Sequence, residues 1–87
     1  MTIEYSDEFH KQYQKAPPKI QNAVDKRTAL FTKDPFHPLL NNHLLKGQYQ
    51  GKRSINITGD WRAIFREVGN YQFVIFEILG THSQLYK

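Results

Sequence analysis

The spacing of apolar residues changes period part-way along this chain. Thr2 to Tyr5 reads as a short strand, and Ser6 stands where a helix N-cap belongs. Asp7 and Glu8 then fall in the first turn, where the positive end of the helix dipole favours carboxylates. Phe9 and Tyr13, four residues apart, share one face. Ala16-Pro17-Pro18 ends this helix and opens the next, because proline is tolerated at the first helical position. Ile20, Ala23, Val24, Leu30 and Phe31 form the apolar stripe of a second helix, with Pro35 just past its end. Two helices joined so closely predict an αα-hairpin.

From Asp34 to Gly51 the chain is rich in Asn, His, Pro and Gly and reads as a loop. Leu39, Leu40, Leu44 and Leu45 lie within it, so part of it should pack or form a short turn of helix. Beyond Gly51 the period becomes two. Arg53, Ile55 and Ile57 alternate with Ser54, Asn56 and Thr58, and Gly59-Asp60 supplies a tight turn. Trp61, Ala63 and Phe65 then alternate with Arg62, Ile64 and Arg66. Gly69-Asn70 is a second two-residue turn signal, and Tyr71 to Leu79 is a nearly continuous apolar strand, expected in the sheet interior.

The predicted fold is α+β, one domain over residues 1–87. An N-terminal strand and the αα-hairpin pack on one face of a small, mainly antiparallel four-stranded sheet. With Trp61, Ala63 and Phe65 turned to the helices, the opposite face carries Arg62, Ile64, Arg66, Ser54, Asn56 and Thr58. No helix is assigned to that face, so it is expected to be open and concave, a candidate binding surface.

Composition narrows the chemistry. Eighty-seven residues leave room for a single core. Hydrophobic residues at 39% and charged residues at 23% exclude wholesale disorder. The absence of cysteine excludes disulfides and thiol chemistry. No apolar stretch approaches the roughly 20 residues of a membrane span, and MTIEYSDEF lacks the pattern of a signal peptide. A cytoplasmic protein with no membrane partner is expected. Net charge is +4, and Lys46, Lys52, Arg53, Arg62 and Arg66 stand against Asp60 alone between residues 46 and 66. Such a segment suits a polyanion, because contact with phosphates releases counterions.

The four histidines sit in different settings. His10 on the first helix and His37 between Phe36 and Pro38 read as surface or packing residues. His43 lies in the loop before Leu44-Leu45-Lys46-Gly47, and His82 follows Gly80-Thr81 at the end of the apolar strand. Their spacing matches no helical metal motif and no carboxylate cluster joins them, so neither metal nor cofactor is expected. Asp60 suits a turn, and as the only acid among those five cations it is also a candidate site residue.

The segment HLLKGQYQGKRSINITGDWRAIF, followed by FEILGTHSQLY, resembles the RelE/ParE toxin superfamily of bacterial toxin–antitoxin modules, and within it the YafQ-type branch. The resemblance runs over the whole chain, and its specific part is the second half. It implies a RelE-like fold and a small endoribonuclease that cuts mRNA in the ribosomal A site. It also implies a cognate antitoxin, with the toxin monomeric alone and part of a hetero-oligomer when bound. By matching position, His43, Asp60 and His82 are the implied catalytic side chains. Arg53 and Arg62 match arginines near the RNA backbone, and Tyr86 matches an aromatic that holds a base or the chain terminus. Lys46, Trp61 and Arg66 complete the expected RNA-binding set. Two positions depart from the branch: Asn56 stands where it carries a histidine, and Ile78 where it carries an arginine. The rival implications are a ParE-like toxin that poisons DNA gyrase, and a weakened homologue that only binds antitoxin or ribosome.

Overall fold

A computed structural model describes residues 1–86. In chain order the elements are β1 (Thr2–Tyr5), α1 (Asp7–Lys15), α2 (Pro18–Lys33), β2 (His43–Leu44), β3 (Arg53–Asn56), β4 (Trp61–Val68), β5 (Phe73–Thr81) and α3 (His82–Leu85). The strands form one sheet in the order β1-β5-β4-β3-β2. β1 runs parallel to β5, and the other neighbours are antiparallel. The architecture is the α+β arrangement expected, with one strand more: His43 and Leu44 pair with Ser54 and Arg53 at the edge.

The helical hairpin forms for the anticipated reasons. Ser6 caps α1 by accepting from the Phe9 N–H at 3.0 Å, and its own hydroxyl donates to the Glu77 carbonyl at 2.7 Å. One serine thus both starts α1 and ties it to β5. Gln12 Oε1 accepts from the Leu79 N–H, so α1 covers the stretch of β5 beyond its pairing with β1. The Tyr13 hydroxyl donates to Asp25 of α2 at 2.9 Å, and that bond raises the Tyr13 pKa above its ordinary value.

Both helices pack on one face. Phe9, Ile20, Val24 and Phe31 bury against Ile55, Ile57, Ala63, Phe65, Val74 and Phe76. Burying aromatic rings of this size supplies most of the driving force for folding.

Tyr71 departs from the strand expected of it. It sits in the β4–β5 turn with φ 70°, after Gly69 and Asn70, which also have positive φ. A tyrosine rarely adopts that conformation without support. Here the support is specific: its ring packs on Phe31, Phe36 and Phe65, and its hydroxyl accepts from Asn42 at 3.0 Å. Tertiary packing overrides the apolar run, and β5 starts at Phe73.

The second face of the sheet also departs from expectation. It is not an open surface. Ile64 and Ser54 are both 0% exposed, and Leu45, Tyr49, Leu85 and Tyr86 cover Ile64 and Ile78. The loop after β2 and the tail after β5 fold back to do what no longer helix does.

Candidate functional site

The site is built where the β3–β4 turn meets the end of β5. Thr58 organises the turn: its hydroxyl oxygen accepts from the Asp60 and Trp61 N–H groups at 3.3 and 3.1 Å. Asp60 then presents its carbonyl to the backbone N–H of His82 at 2.9 Å. The turn and the start of α3 are locked together, with the Asp60 and His82 side chains both exposed. Arg62 enters the same corner, where its Nη1 donates to the Thr58 and Trp61 carbonyls at 2.9 and 3.1 Å.

α3 is a single turn held at both ends. Thr81 and Gln84 form a reciprocal capping box, which satisfies free N–H groups at the start. Gly80 lets the turn fold onto the sheet, since a Cβ there would lie 3.2 Å from Leu85 Cδ2. Leu85 is buried beneath it. Tyr86 lies against His82 with ring centroids 4.7 Å apart and meets Tyr49 edge-on at 5.9 Å.

The remaining expected residues lie in three other places. His43 on β2 is cross-strand from Ser54, which is itself opposite Ile64, so all three share the second face. It stands at the β2 edge, about three strand spacings from β5, roughly 14 Å of backbone separation. Its Nδ1 lies 2.8 Å from the Asn41 carbonyl, which can only accept, so Nδ1 bears the hydrogen and Nε2 is left free. Lys46 is exposed on the adjoining loop. Asp60, His82, Arg62 and Tyr86 are therefore brought together, with His43 and Lys46 across the covered face.

Arg53 and Arg66 stand apart, and Trp61 adjoins the corner through Thr58 and Thr81 but turns its ring to the other face. Arg53 pairs with Phe65 and faces the helices, with its Nε donating to Asn42 at 2.8 Å and its guanidinium 5.6 Å from the Phe36 ring centroid. Trp61 is half-buried against the helix-side core. Arg66 lies on the second face but at its far end, where it and Lys52 both reach Glu77, at 3.0 and 2.9 Å. A β-bulge beside Ile64 and Phe65 breaks the register there.

Asn56 and Ile78 occupy structural niches. Asn56 pairs with Arg62, and its Oδ1 is buried without a hydrogen-bond partner. Ile78 packs with Leu45, Ile64 and Leu85. Gln48 is a contributor that no sequence signal marked, and Thr58, expected only as part of the open face, organises the turn. Tyr49 had two visible cues, an aromatic in an otherwise polar loop between two glycines and its place four residues before Arg53 in the segment that carries the resemblance.

Comparison with known proteins supplies the family. A model described as bacterial toxin of type II toxin–antitoxin system, YafQ, matches residues 1–87. The chain belongs to the YafQ family of toxins. A crystal structure of YafQ from E. coli strain BL21(DE3) is 25% identical, with TM-score 0.82, over 98% of this chain and 97% of that one. YafQ in an E. coli DinJ–YafQ toxin–antitoxin complex is also 25% identical, with TM-score 0.74 and coverage of 98% and 96%. A YoeB/ParE toxin from Agrobacterium tumefaciens, 21% identical with TM-score 0.77, covers 94% of this chain and 99% of its own, and shares the fold. Among curated proteins none is significantly similar in sequence. No helix among the described residues is long and apolar enough to cross a membrane.

Proposed function

We propose that this YafQ-family toxin is a metal-independent endoribonuclease that cleaves mRNA on the ribosome and is silenced by a cognate antitoxin. The observation that supports this reading is the Asp60–His82 junction, a backbone bond that joins the turn bearing Asp60 and Arg62 to the helix bearing His82, with the Tyr86 ring against the His82 imidazole. The antitoxin partner is supported by the relative crystallised in a DinJ–YafQ complex.

The reaction is attack of a ribose 2′-hydroxyl on its neighbouring phosphate. It needs a base for the 2′ proton, an acid for the departing 5′ oxygen and cations for the added charge. His82 is the general acid. Asp60 takes the 2′ proton or orients the group that does, and His43, with Nε2 free, shares either task for RNA lying across the covered face. Arg62, through the guanidinium nitrogens other than the Nη1 bonded to Thr58 and Trp61, and Lys46 hold phosphates, and the Tyr86 ring offers a base a stacking surface. Arg53 and Arg66 are held by Asn42 and Glu77, and Arg66 joins the RNA-binding set where the backbone phosphates draw it from Glu77. The products are a 2′,3′-cyclic phosphate and a 5′-hydroxyl.

Primer extension on mRNA after induction tests this reading. Wild type should give discrete cuts, and His82→Gln should lower cleavage by about a hundredfold or more, the usual size of a lost proton-transfer group. Unchanged cleavage would remove His82 from the mechanism.

A second reading is favoured by Asn56 and Ile78. Asn56 cannot exchange a proton near neutral pH, and Ile78 carries no charge for the phosphate. A weakened homologue would bind antitoxin while leaving mRNA intact in the same experiment. DNA breaks with an SOS response would instead point to the gyrase-poisoning activity of the ParE type.

A further inference from the structure

The candidate site is divided between two segments far apart in sequence. His43 and Lys46 belong to β2 and its loop, whereas Asp60, His82 and Tyr86 belong to the turn and the tail. α3 has only four residues, far too few to persist by helix propensity. Its first turn is secured by the capping box and by Asp60. Its last carbonyls need partners of another kind.

The loop after β2 supplies them. The Leu85 carbonyl accepts from Gln48 Nε2 at 3.1 Å and from the Tyr49 hydroxyl at 2.9 Å, so both lone pairs of one helix-end oxygen are occupied. The Tyr49 ring meets Tyr86 at 90°, and Tyr86 in turn lies against His82. The loop itself is shaped in advance. Gly47 and Gly51 take φ of 65° and 86° at its two ends, and the Lys52 N–H closes it on the Tyr49 carbonyl at 2.9 Å. A substituent at either glycine would be strained by that backbone conformation.

We infer that Gln48 and Tyr49 are positioning residues: together they clasp the β2–β3 loop to α3, fix His43 and Lys46 relative to His82, and press Tyr86 against the His82 imidazole. The catalytic consequence rests on the ribonuclease reading; the clasp rests on geometry alone. A purely packing role for Tyr49 would depend on its ring, whereas the clasp depends on its hydroxyl and on the Gln48 amide.

The deciding experiment uses Gln48→Ala, Tyr49→Phe and the double variant of the full chain, which all keep the Tyr49-position ring. Two measurements are made on each: His82 imidazole resonances by NMR, and kcat and KM for RNA cleavage. In the double variant the His82 ring signals should move towards free-histidine values as the Tyr86 ring leaves. Exchange of the Tyr86 amide should quicken. Cleavage should lose about tenfold in kcat with KM unchanged, since small misplacements of reacting groups act on rate. Each single variant should lose less, because the other donor still holds the oxygen.

Unmoved His82 signals in the double variant would overturn the clasp. Moved signals with unaltered kcat would overturn its role in positioning. If wild type cleaves no RNA, the ribonuclease reading fails by itself, and the NMR arm still decides the clasp.

Discussion

On one face of the sheet, Phe31 of α2 meets Phe65 and Phe76 at centroid distances of 5.0 and 5.4 Å, within an apolar cluster spanning both helices and four strands. On the other face Ile64 is covered by one loop and one tail, through Leu45, Tyr49, Leu85 and Tyr86. The first face leaves its polar groups at the margins. The second buries the Ser54 hydroxyl and Asn56 Oδ1 without partners and places Glu77 between two cations. One face is built for stability. The other trades stability for the placement of exposed polar groups, and residues of the candidate site cluster around it.

Phe31→Ala should therefore cost the most, about 3–5 kcal/mol, the usual loss for a phenylalanine removed from a packed core. Leu85→Ala on the second face should cost about 2 kcal/mol, the low end for such a truncation, because a four-residue helix at the surface can collapse into the space. Urea unfolding of both variants measures the gap. Equal losses would mean that the two faces are one continuous core, contrary to the packing described.

The same asymmetry explains what could be read in advance. The helix face follows from periods of 3.6 and 2, and both are visible in Ile20, Val24 and Phe31 and in Ile55, Ala63 and Phe65. Even the placement of Arg53 was legible, since it alternates in phase with Ile55 and Ile57 and so had to face the helices. The family resemblance implies a place near RNA for that residue and does not say which face it takes, whereas the alternation does. The cover on the second face obeys no period. β2 has two residues and α3 has four, below the length at which a pattern can show. The Asp60–His82 bond is made by backbone atoms, so no side-chain signal announces it. What marked that corner was the Asp-Trp-Arg and Gly-Thr-His motifs, which suggest chemistry but no contact.

Glu77 provides a smaller test. Its carboxylate holds Lys52 and Arg66 with side chains 30% and 54% exposed, so solvent screens much of the attraction. Glu77→Gln should cost no more than about 1 kcal/mol in low salt. The loss should shrink towards zero near 1 M salt, where the Debye length is only about 3 Å. A loss independent of salt would assign Glu77 a packing role at the bulge instead. The same variant should bind RNA more tightly in low salt, because two cations on the candidate face would be released. Unchanged binding would place RNA entirely at the Asp60–His82 end.

The smallest effect expected is also the one whose sign discriminates best. Ser54 is 0% exposed, between His43 and Ile64 on neighbouring strands, and its hydroxyl oxygen has no hydrogen-bond partner among the described residues. A buried polar group left unpaired costs about 1–3 kcal/mol. Replacing it with alanine removes that penalty and leaves a gap the size of one atom, which forfeits some dispersion contact. The balance favours Ser54→Ala by roughly 0.5 kcal/mol, so its unfolding midpoint should rise slightly rather than fall. On the helix face every deletion of side-chain atoms should destabilise. A loss of about 1 kcal/mol or more for Ser54→Ala, typical of a broken hydrogen bond, would show that the hydroxyl is satisfied after all. The contrast between the faces would then lie in packing alone, and burial of polar groups could no longer be counted as part of what the second face sacrifices.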